Sequence, residues 1–260
     1  MPLAVHGAMF DVRCSMCGVR YNPAMVLLLA CMLVQDASKL IKEGDAAWVK
    51  RAEDGQPAKA VQAYKKALAI DESSAEAYWK IARVAFWTGD HEKETEKQAR
   101  IYREAIDYAK LAVDADKNCV AAHFWLAFLY GLFGQAKGIF QALDLIEPMK
   151  AEAEWVVAHD ETFESGGAHR LLGMLYYKLP GIKGGDIEKA KKHLARAVEL
   201  APKFFTNRLL YAQVLAHDGK KDEAKKQLKA AMELPEDPDW EPEIKQDRVE
   251  AKKLLDELNK

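Results

Sequence analysis

The residues that could carry chemistry in this chain are few and are scattered along it. Its five histidines after residue 100 lie in helical patterns or at their ends, and none belongs to an HExxH, a GxSxG or a nucleophile–base pattern. We expect each to pack or to face solvent, with His193 on an exposed, lysine-rich turn. The sequence therefore predicts no catalytic residue, no enzyme activity and no cofactor. These histidines are His123, His159, His169, His193 and His217.

Cysteine spacing offers one candidate metal site. Cys14 and Cys17 have the spacing of half a zinc site, but a tetrahedral zinc needs four ligands, and no second CxxC or paired histidine follows. Only Cys119 lies beyond residue 31, so a disulfide framework is excluded there. We predict no metal.

A glycine cluster, GIKGGD at 181–186, raises the question of a phosphate-binding loop. Such a loop needs GxxxxGK followed by Ser or Thr, after a strand, and neither is present. Pro180 instead ends a helix, Gly181 can adopt the left-handed conformation, and Asp186 can cap the next helix. We therefore predict a structural turn built from Pro180, Gly181, Gly184, Gly185 and Asp186.

Composition restricts the classes of partner. The 260 residues include 38 basic and 40 acidic ones, for a net charge of −2, and half of the chain is hydrophobic. Such a chain can bury a core, and it lacks the positive field that collects nucleic acid. We expect no nucleic-acid partner.

The N-terminus has the features of an export signal. Arg13 and Arg20 precede an apolar run at 24–34 that is too short to cross a bilayer. Within this run, Leu-Leu-Ala-Cys at 28–31 resembles the lipobox of bacterial lipoproteins. That resemblance implies acylation of Cys31, a leader at 1–31 and a periplasmic lipoprotein whose membrane contact is its lipid anchor. The alternative is a buried first helix on a cytoplasmic protein.

The rest of the chain repeats one helical pattern. Ala190, Leu194 and Ala197 recur 34 residues later as Ala224, Leu228 and Ala231, and segment 59–71 carries the same small–large–small spacing. Each set lies on one face of a helix. A 34-residue period of this kind resembles the tetratricopeptide repeat.

The repeat predicts an all-α fold, a right-handed superhelix of about five helix pairs spanning 37–236. The pairs stack because one pair cannot bury its own apolar face. We place the first pair at 37–52 and 57–70, the second at 75–88 and 91–115, and the third at 119–133 and 138–158. A charged amphipathic helix at 241–260 is expected to cap the open end.

A second resemblance covers the glycine-rich turn and the helices around it. LLGMLYYKLPGIKGGDIEKAKKHLARAVELAP at 171–202 resembles the T-component proteins associated with TRAP-type transporters. It implies a periplasmic lipoprotein of helical repeats that forms trimers, partners a substrate-binding protein and carries a hydrophobic ligand. The segment at 122–139, with later stretches in the same order, is also similar to the regulator of microtubule dynamics family, which shares the scaffold.

The predicted groove comes from the resemblance to the repeat family, in which the first helix of each pair faces the concave side. Positions carried over from that pattern give a mostly apolar wall with two arginines. An equally open alternative is that these aromatic side chains are core between repeats. Arg83 and Arg170 could each hold a carboxylate, or could pair with acidic residues of neighbouring helices. The predicted groove residues are Trp79, Arg83, Phe86, Phe124, Phe128, Arg170, Met174 and Tyr177.

Together these features predict a non-catalytic binding protein of the bacterial cell envelope. In this interpretation it is transporter-associated and binds a small hydrophobic or carboxylate ligand together with a partner substrate-binding protein. The alternative is a general scaffold whose groove receives peptide segments of protein partners.

Overall fold

Helices follow one another along nearly the whole chain of the computed structural model. The structure describes residues 12–13, 20–21, 23–138, 143–237 and 239–260, with side chains from residue 35 onward except that of Glu241. These residues form eleven α-helices and one short antiparallel pair, β1 (Val12–Arg13) and β2 (Arg20–Tyr21). The fold is all-α, as the sequence predicts.

The helices form five consecutive pairs and a final helix. The pairs are α1 (Pro23–Val49) with α2 (Gln56–Ile70), α3 (Ala75–Asp90) with α4 (Thr95–Ala115), α5 (Val120–Lys137) with α6 (Ile146–Asp160), α7 (Phe163–Lys178) with α8 (Ile187–Leu200), and α9 (Phe205–His217) with α10 (Lys221–Met232). The last helix, α11 (Glu241–Leu258), packs on α9 and α10.

The main departure from the predicted bounds lies at the start of the chain. Helix α1 begins at Pro23 and not near residue 37, so Cys31 falls inside a continuous helix. The side chain of Cys31, and Cys14 and Cys17 altogether, lie outside the described residues. Lipidation at Cys31 and a leader at 1–31 therefore stay predictions.

In several helix pairs, a glycine of the first helix packs against a large side chain of the second helix. A Cβ added to Gly44 of α1 would lie 2.3 Å from the ring of Tyr64 in α2, and one added to Gly89 of α3 would lie 2.3 Å from the ring of Tyr102 in α4. Gly173 of α7 stands in the same relation to Leu194 of α8. Each glycine lets the backbone of the first helix approach the largest core residue of the second.

The segment between α7 and α8 is a turn held by its own backbone. A short 3-10 helix spans Gly181–Lys183, and the backbone N–H of Asp186 donates to the carbonyl of Tyr176. The left-handed residue is Gly184, at φ 92°, and not Gly181 as predicted. Asp186 caps α8 by accepting from the backbone N–H groups of Glu188 and Lys189, each at 3.0 Å.

The first helix pair and the last helix meet in space. Arg51, which follows α1, donates from Nε to Glu243 Oε1 of α11 at 2.7 Å and from Nη2 to Glu243 Oε2 at 2.6 Å. Its Nη2 also donates to the carbonyl of Asp239. The side chain of Arg51 is 5% exposed and lies over the rings of Trp48 and Trp87. This contact therefore joins the first helix pair to the last helix.

Candidate functional site

An apolar cavity of about 320 Å³ lies between α5, α6 and α7. Aliphatic, sulfur-containing and aromatic side chains supply most of its wall, and among the described residues that line it Lys178 carries the one charge. Its volume is at the lower end of the range of about 300–1,000 Å³ that is typical of small-molecule sites. The large apolar side chains of the cavity wall include those of Phe128, Leu132, Met149, Leu171, Met174 and Leu175.

The local sequence explains why this space is open. Helix α5 is apolar on nearly all sides, so it supplies a core face and a cavity wall at once. Gly131 lies on the cavity wall without a side chain, and a Cβ there would meet only the flexible end of Met149, at 3.1 Å. The cavity therefore exists in part because Gly131 leaves volume unfilled.

Lys178 stands in the last turn of α7 and contributes to the cavity lining. Surrounding protein lowers the pKa of Lys178, an effect that the negative charge of Glu250 partly offsets. Part of the side chain remains accessible to water, and no hydrogen bond or ion pair holds its ammonium group among the residues that the structure describes. Within the described part of the chain, it is a cation without a hydrogen-bond or ion-pair partner, beside an apolar space.

The predicted groove residues fall into separate places. Phe128 and Met174 line the cavity. Phe124 is 3% exposed and presses against Gly167, where a Cβ would lie 2.4 Å from its ring. Phe86 packs on Phe128 at a centroid distance of 5.2 Å, so this part of the predicted wall is largely packing between the second and third pairs.

Arg83 and Trp79 belong to a different cluster, between the first two helix pairs. The Arg83 guanidinium lies 4.5 Å from the centroid of Trp48 and 5.1 Å from that of Trp79, and its Nη2 lies 3.6 Å from Asp45 Oδ1. Burial lowers the pKa of Arg83, while Tyr64 and Asp45 act in the opposite direction. Its Nε is buried without a hydrogen-bond partner in the described residues.

Arg170 is directed back to the start of its own helix. Glu164, Ser165 and Gly166 all have left-handed backbone angles, with φ of 49°, 58° and 76°. The Nη1 of Arg170 donates to the carbonyls of Glu164 and Ser165, each at 2.9 Å, and to Asn207 Oδ1 at 3.0 Å. Burial lowers the pKa of Arg170 to about 10 and raises that of Glu164. These contacts engage the Nη1 edge of the guanidinium with protein groups.

Tyr177, the last predicted groove residue, packs edge-on against His217 at 5.2 Å and takes no part in the cavity. Sequence reasoning did not single out Leu132, Met149, Leu171, Leu175 or Lys178, all of which line it. A signal was available, because an α5 that is apolar on all faces needs more covering surface than a single partner helix provides.

The five histidines after residue 100 contact neighbouring protein groups. His123 is buried, stacks on Trp155 at 3.8 Å and contacts Glu152 and the carbonyl of Lys117. His193, expected on an exposed turn, is half-buried because its Nδ1 lies 2.9 Å from that of His169 and Tyr176 stacks on its ring. Burial lowers the pKa of His169 and that of His193, the latter to about 4.

Within the part of the chain that the structure describes, no group of three or more acidic, histidine or cysteine side chains is arranged to hold a metal ion. None of the helices searched in that part combines the length and the apolar character needed to cross a bilayer.

Two protein-family models match the chain. The model of the TRAP transporter T-component matches residues 77–259, and the model of the tetratricopeptide repeat matches residues 51–87. The longer match includes the cavity, the turn between α7 and α8, and helix α11. A search of curated protein sequences gave no significant match.

Solved structures with a similar fold include a tetratricopeptide protein and PilF. TTC0263, a tetratricopeptide protein of Thermus thermophilus, is 18% identical, with a TM-score of 0.63 over 84% of this chain and 98% of its own. PilF of Pseudomonas aeruginosa is 17% identical, with a TM-score of 0.56 over 86% of this chain and 89% of its own. At these identities the likeness establishes the fold alone.

Proposed function

Because this chain belongs to the TRAP transporter T-component family, we propose that it is a non-catalytic binding component of such a transporter system. In this proposal the cavity between α5, α6 and α7 holds a small hydrophobic ligand. The observation that carries it is the cavity itself, an apolar space of about 320 Å³ with a single charged group on its described wall.

The contacts of Arg83 and Arg170 differ in how well they support the hypothesis that each arginine binds a ligand carboxylate. Arg170 already donates to two carbonyls and an amide oxygen, so a ligand would compete with these bonds. The Nε of Arg83 has no hydrogen-bond partner among the described residues, and the guanidinium lies between two tryptophan rings. If a carboxylate binds in this groove, Arg83 is the better of the two arginines to receive it.

A protein partner, in this proposal a periplasmic substrate-binding protein, has a candidate contact on the turn between α7 and α8. Ile182 is 93% exposed on a turn that several backbone hydrogen bonds hold in place. A large apolar side chain presented this way favours burial against another protein. We expect Ile182→Asp to weaken cross-linking to a TRAP-type substrate-binding protein, and Lys183→Met to leave it unchanged.

The family and the predicted lipobox support a proposed location. We propose a periplasmic lipoprotein anchored through Cys31, acting as a homo-oligomer, with a trimer as the expected state. Labelling with a radioactive fatty acid in a bacterial host tests the anchor, since Cys31→Ala would abolish the label. Label incorporation unaffected by Cys31→Ala would contradict it.

Native mass spectrometry of the gently purified full chain tests the ligand function. We expect a bound small molecule that is released on unfolding and is apolar. Gly131→Leu should lose this molecule because the added side chain fills the cavity, whereas Gly181→Ala, at an open position on the turn, should retain it. A ligand-free wild-type chain that captures peptide segments would favour a general interaction scaffold instead.

A further inference from the structure

We propose that the α5–α7 cavity selects a single-chain anionic amphiphile, a medium-chain carboxylate, whose chain lies in the cavity and whose carboxylate binds the Lys178 ammonium group. This inference rests on the proposed function, because it names the chemical class of the ligand for the same cavity.

The volume limits the apolar part of the ligand. A cavity of about 320 Å³ lies at the lower end of the range of about 300–1,000 Å³ for small-molecule sites, which favours a small ligand. A single alkyl chain of medium length is a ligand of this class. The flexible thioethers of Met149 and Met174 can adjust to such a chain.

The charge on the wall defines the polar end. Lys178 supplies a single positive charge, and no second basic side chain lines the described part of the cavity. The acidic residue that acts on Lys178 is Glu250 of α11, whose Oε1 already accepts a hydrogen bond from Gln213 Nε2 at 2.8 Å. A group with one negative charge therefore matches this wall better than a phosphate monoester, which carries nearly two.

The placement of Lys178 suits an amphiphile. The surrounding protein lowers its pKa, and a carboxylate beside it would favour the charged form of the ammonium group. Part of the side chain still contacts water, so the head group can remain partly hydrated while the chain is buried. A neutral apolar ligand would form no charge-assisted hydrogen bond with the ammonium group, so its affinity would not depend on that group.

Calorimetric titration with decanoate and decan-1-ol tests the proposal on the full chain. The two probes share the same alkyl chain and differ in charge. We expect decanoate to bind at least about tenfold more tightly, the difference that one charge-assisted hydrogen bond produces. Lys178→Met should remove this preference by weakening the binding of decanoate. Lys183→Met, at an exposed lysine on the nearby turn, serves as the matched control and should behave as wild type.

Other results would overturn the inference in distinguishable ways. Equal affinities for the two probes in the wild type, or a preference that survives Lys178→Met, would contradict the carboxylate assignment and leave the apolar ligand site intact. If neither probe binds, the ligand site itself fails, and the inference fails with it. Melting curves of both lysine variants verify that each is folded in the titration.

Discussion

Gly185 is the residue on which the turn between α7 and α8 most depends. A Cβ at this position would lie 1.8 Å from the carbonyl oxygen of Leu179, a backbone atom that cannot move aside cheaply. We expect Gly185→Ala to lower the free energy of unfolding by roughly 1–3 kcal/mol. Gly181→Ala has open space around its added methyl group and should be nearly neutral. Urea unfolding of both variants checks this, and equal midpoints would contradict it.

The paired imidazoles of His169 and His193 make stability depend on pH. Both pKa values lie below the usual 6.5 in the folded chain, that of His193 at about 4, because burial disfavours the charged form. The unfolded chain therefore takes up protons first, so stability should fall as pH drops from about 6.5 to about 4. Glu161 and Arg196 face His169, and Lys192 and Tyr176 face His193.

Thermal melting between pH 7 and pH 4.5 measures this effect. His193→Gln should reduce the loss of melting temperature on acidification, while His159→Gln, at an exposed position, should leave the slope as in wild type. The pKa of Asp247 is raised to about 6 by burial, so this group acts in the opposite direction over the same range. A slope that is the same in His193→Gln and wild type would contradict the prediction.

Some contacts of single residues could be predicted from the sequence, and others could not. Asp186 as the cap of α8 followed from its type and place alone, because capping is a local interaction. The contacts of Arg170 did not, since they depend on left-handed angles at Glu164 and Ser165, which side chains of these types rarely adopt. The negative charge that acts on Lys178 comes from Glu250 of α11, far along the chain.

At the scale of the element, the start of α7 is held by a residue from α9. Asn207 is fully buried, and its Nδ2 donates to the carbonyl of Ala197 at 2.7 Å and of Ser165 at 3.0 Å, while its Oδ1 accepts from Arg170. These bonds stabilise the left-handed stretch, which otherwise costs about 1–3 kcal/mol for each strained residue. The junction of the fourth and fifth pairs therefore depends on this amide.

We expect Asn207→Ala to lower the free energy of unfolding by roughly 2–4 kcal/mol, because it leaves a buried carbonyl and part of Arg170 without a partner. Asn118→Ala, at an exposed asparagine, is the matched control and should change stability by less than about 0.5 kcal/mol. Hydrogen exchange at the start of α7 should accelerate in the first variant only. Unchanged exchange there would show that the stretch is held by other contacts.

Most elements could be predicted because their signals are local. The alanine faces of α8 and α10 lie on buried sides with the predicted spacing, and α11 begins and ends close to the predicted bounds. The cavity could not be predicted in this way. It depends on how α5, α6 and α7 cross and on volume that Gly131 leaves empty, and a single sequence contains no measure of either.

At the scale of the whole molecule, the contact of Arg51 with Glu243 joins the first pair to the last helix. The two side chains are 5% and 14% exposed, so breaking the pair leaves a charge with little water around it. A double-mutant cycle of Arg51→Met and Glu243→Gln should give a coupling energy of roughly 1–3 kcal/mol. The same cycle on the exposed pair of Lys97 and Glu94 should give less than about 1 kcal/mol. Equal coupling in the two cycles would contradict a stabilising contact between the first pair and α11 through Arg51.

The central claim is that the space between α5, α6 and α7 is a ligand site, and a titration of decan-1-ol into the full chain tests it most directly. We predict saturable one-site binding with a negative heat-capacity change, since apolar surface is buried. Gly131→Ala should weaken binding and Gly131→Leu should abolish it, with both variants folded, because their side chains occupy the cavity. Absence of saturable binding to the wild type, or equal binding to Gly131→Leu, would contradict the claim.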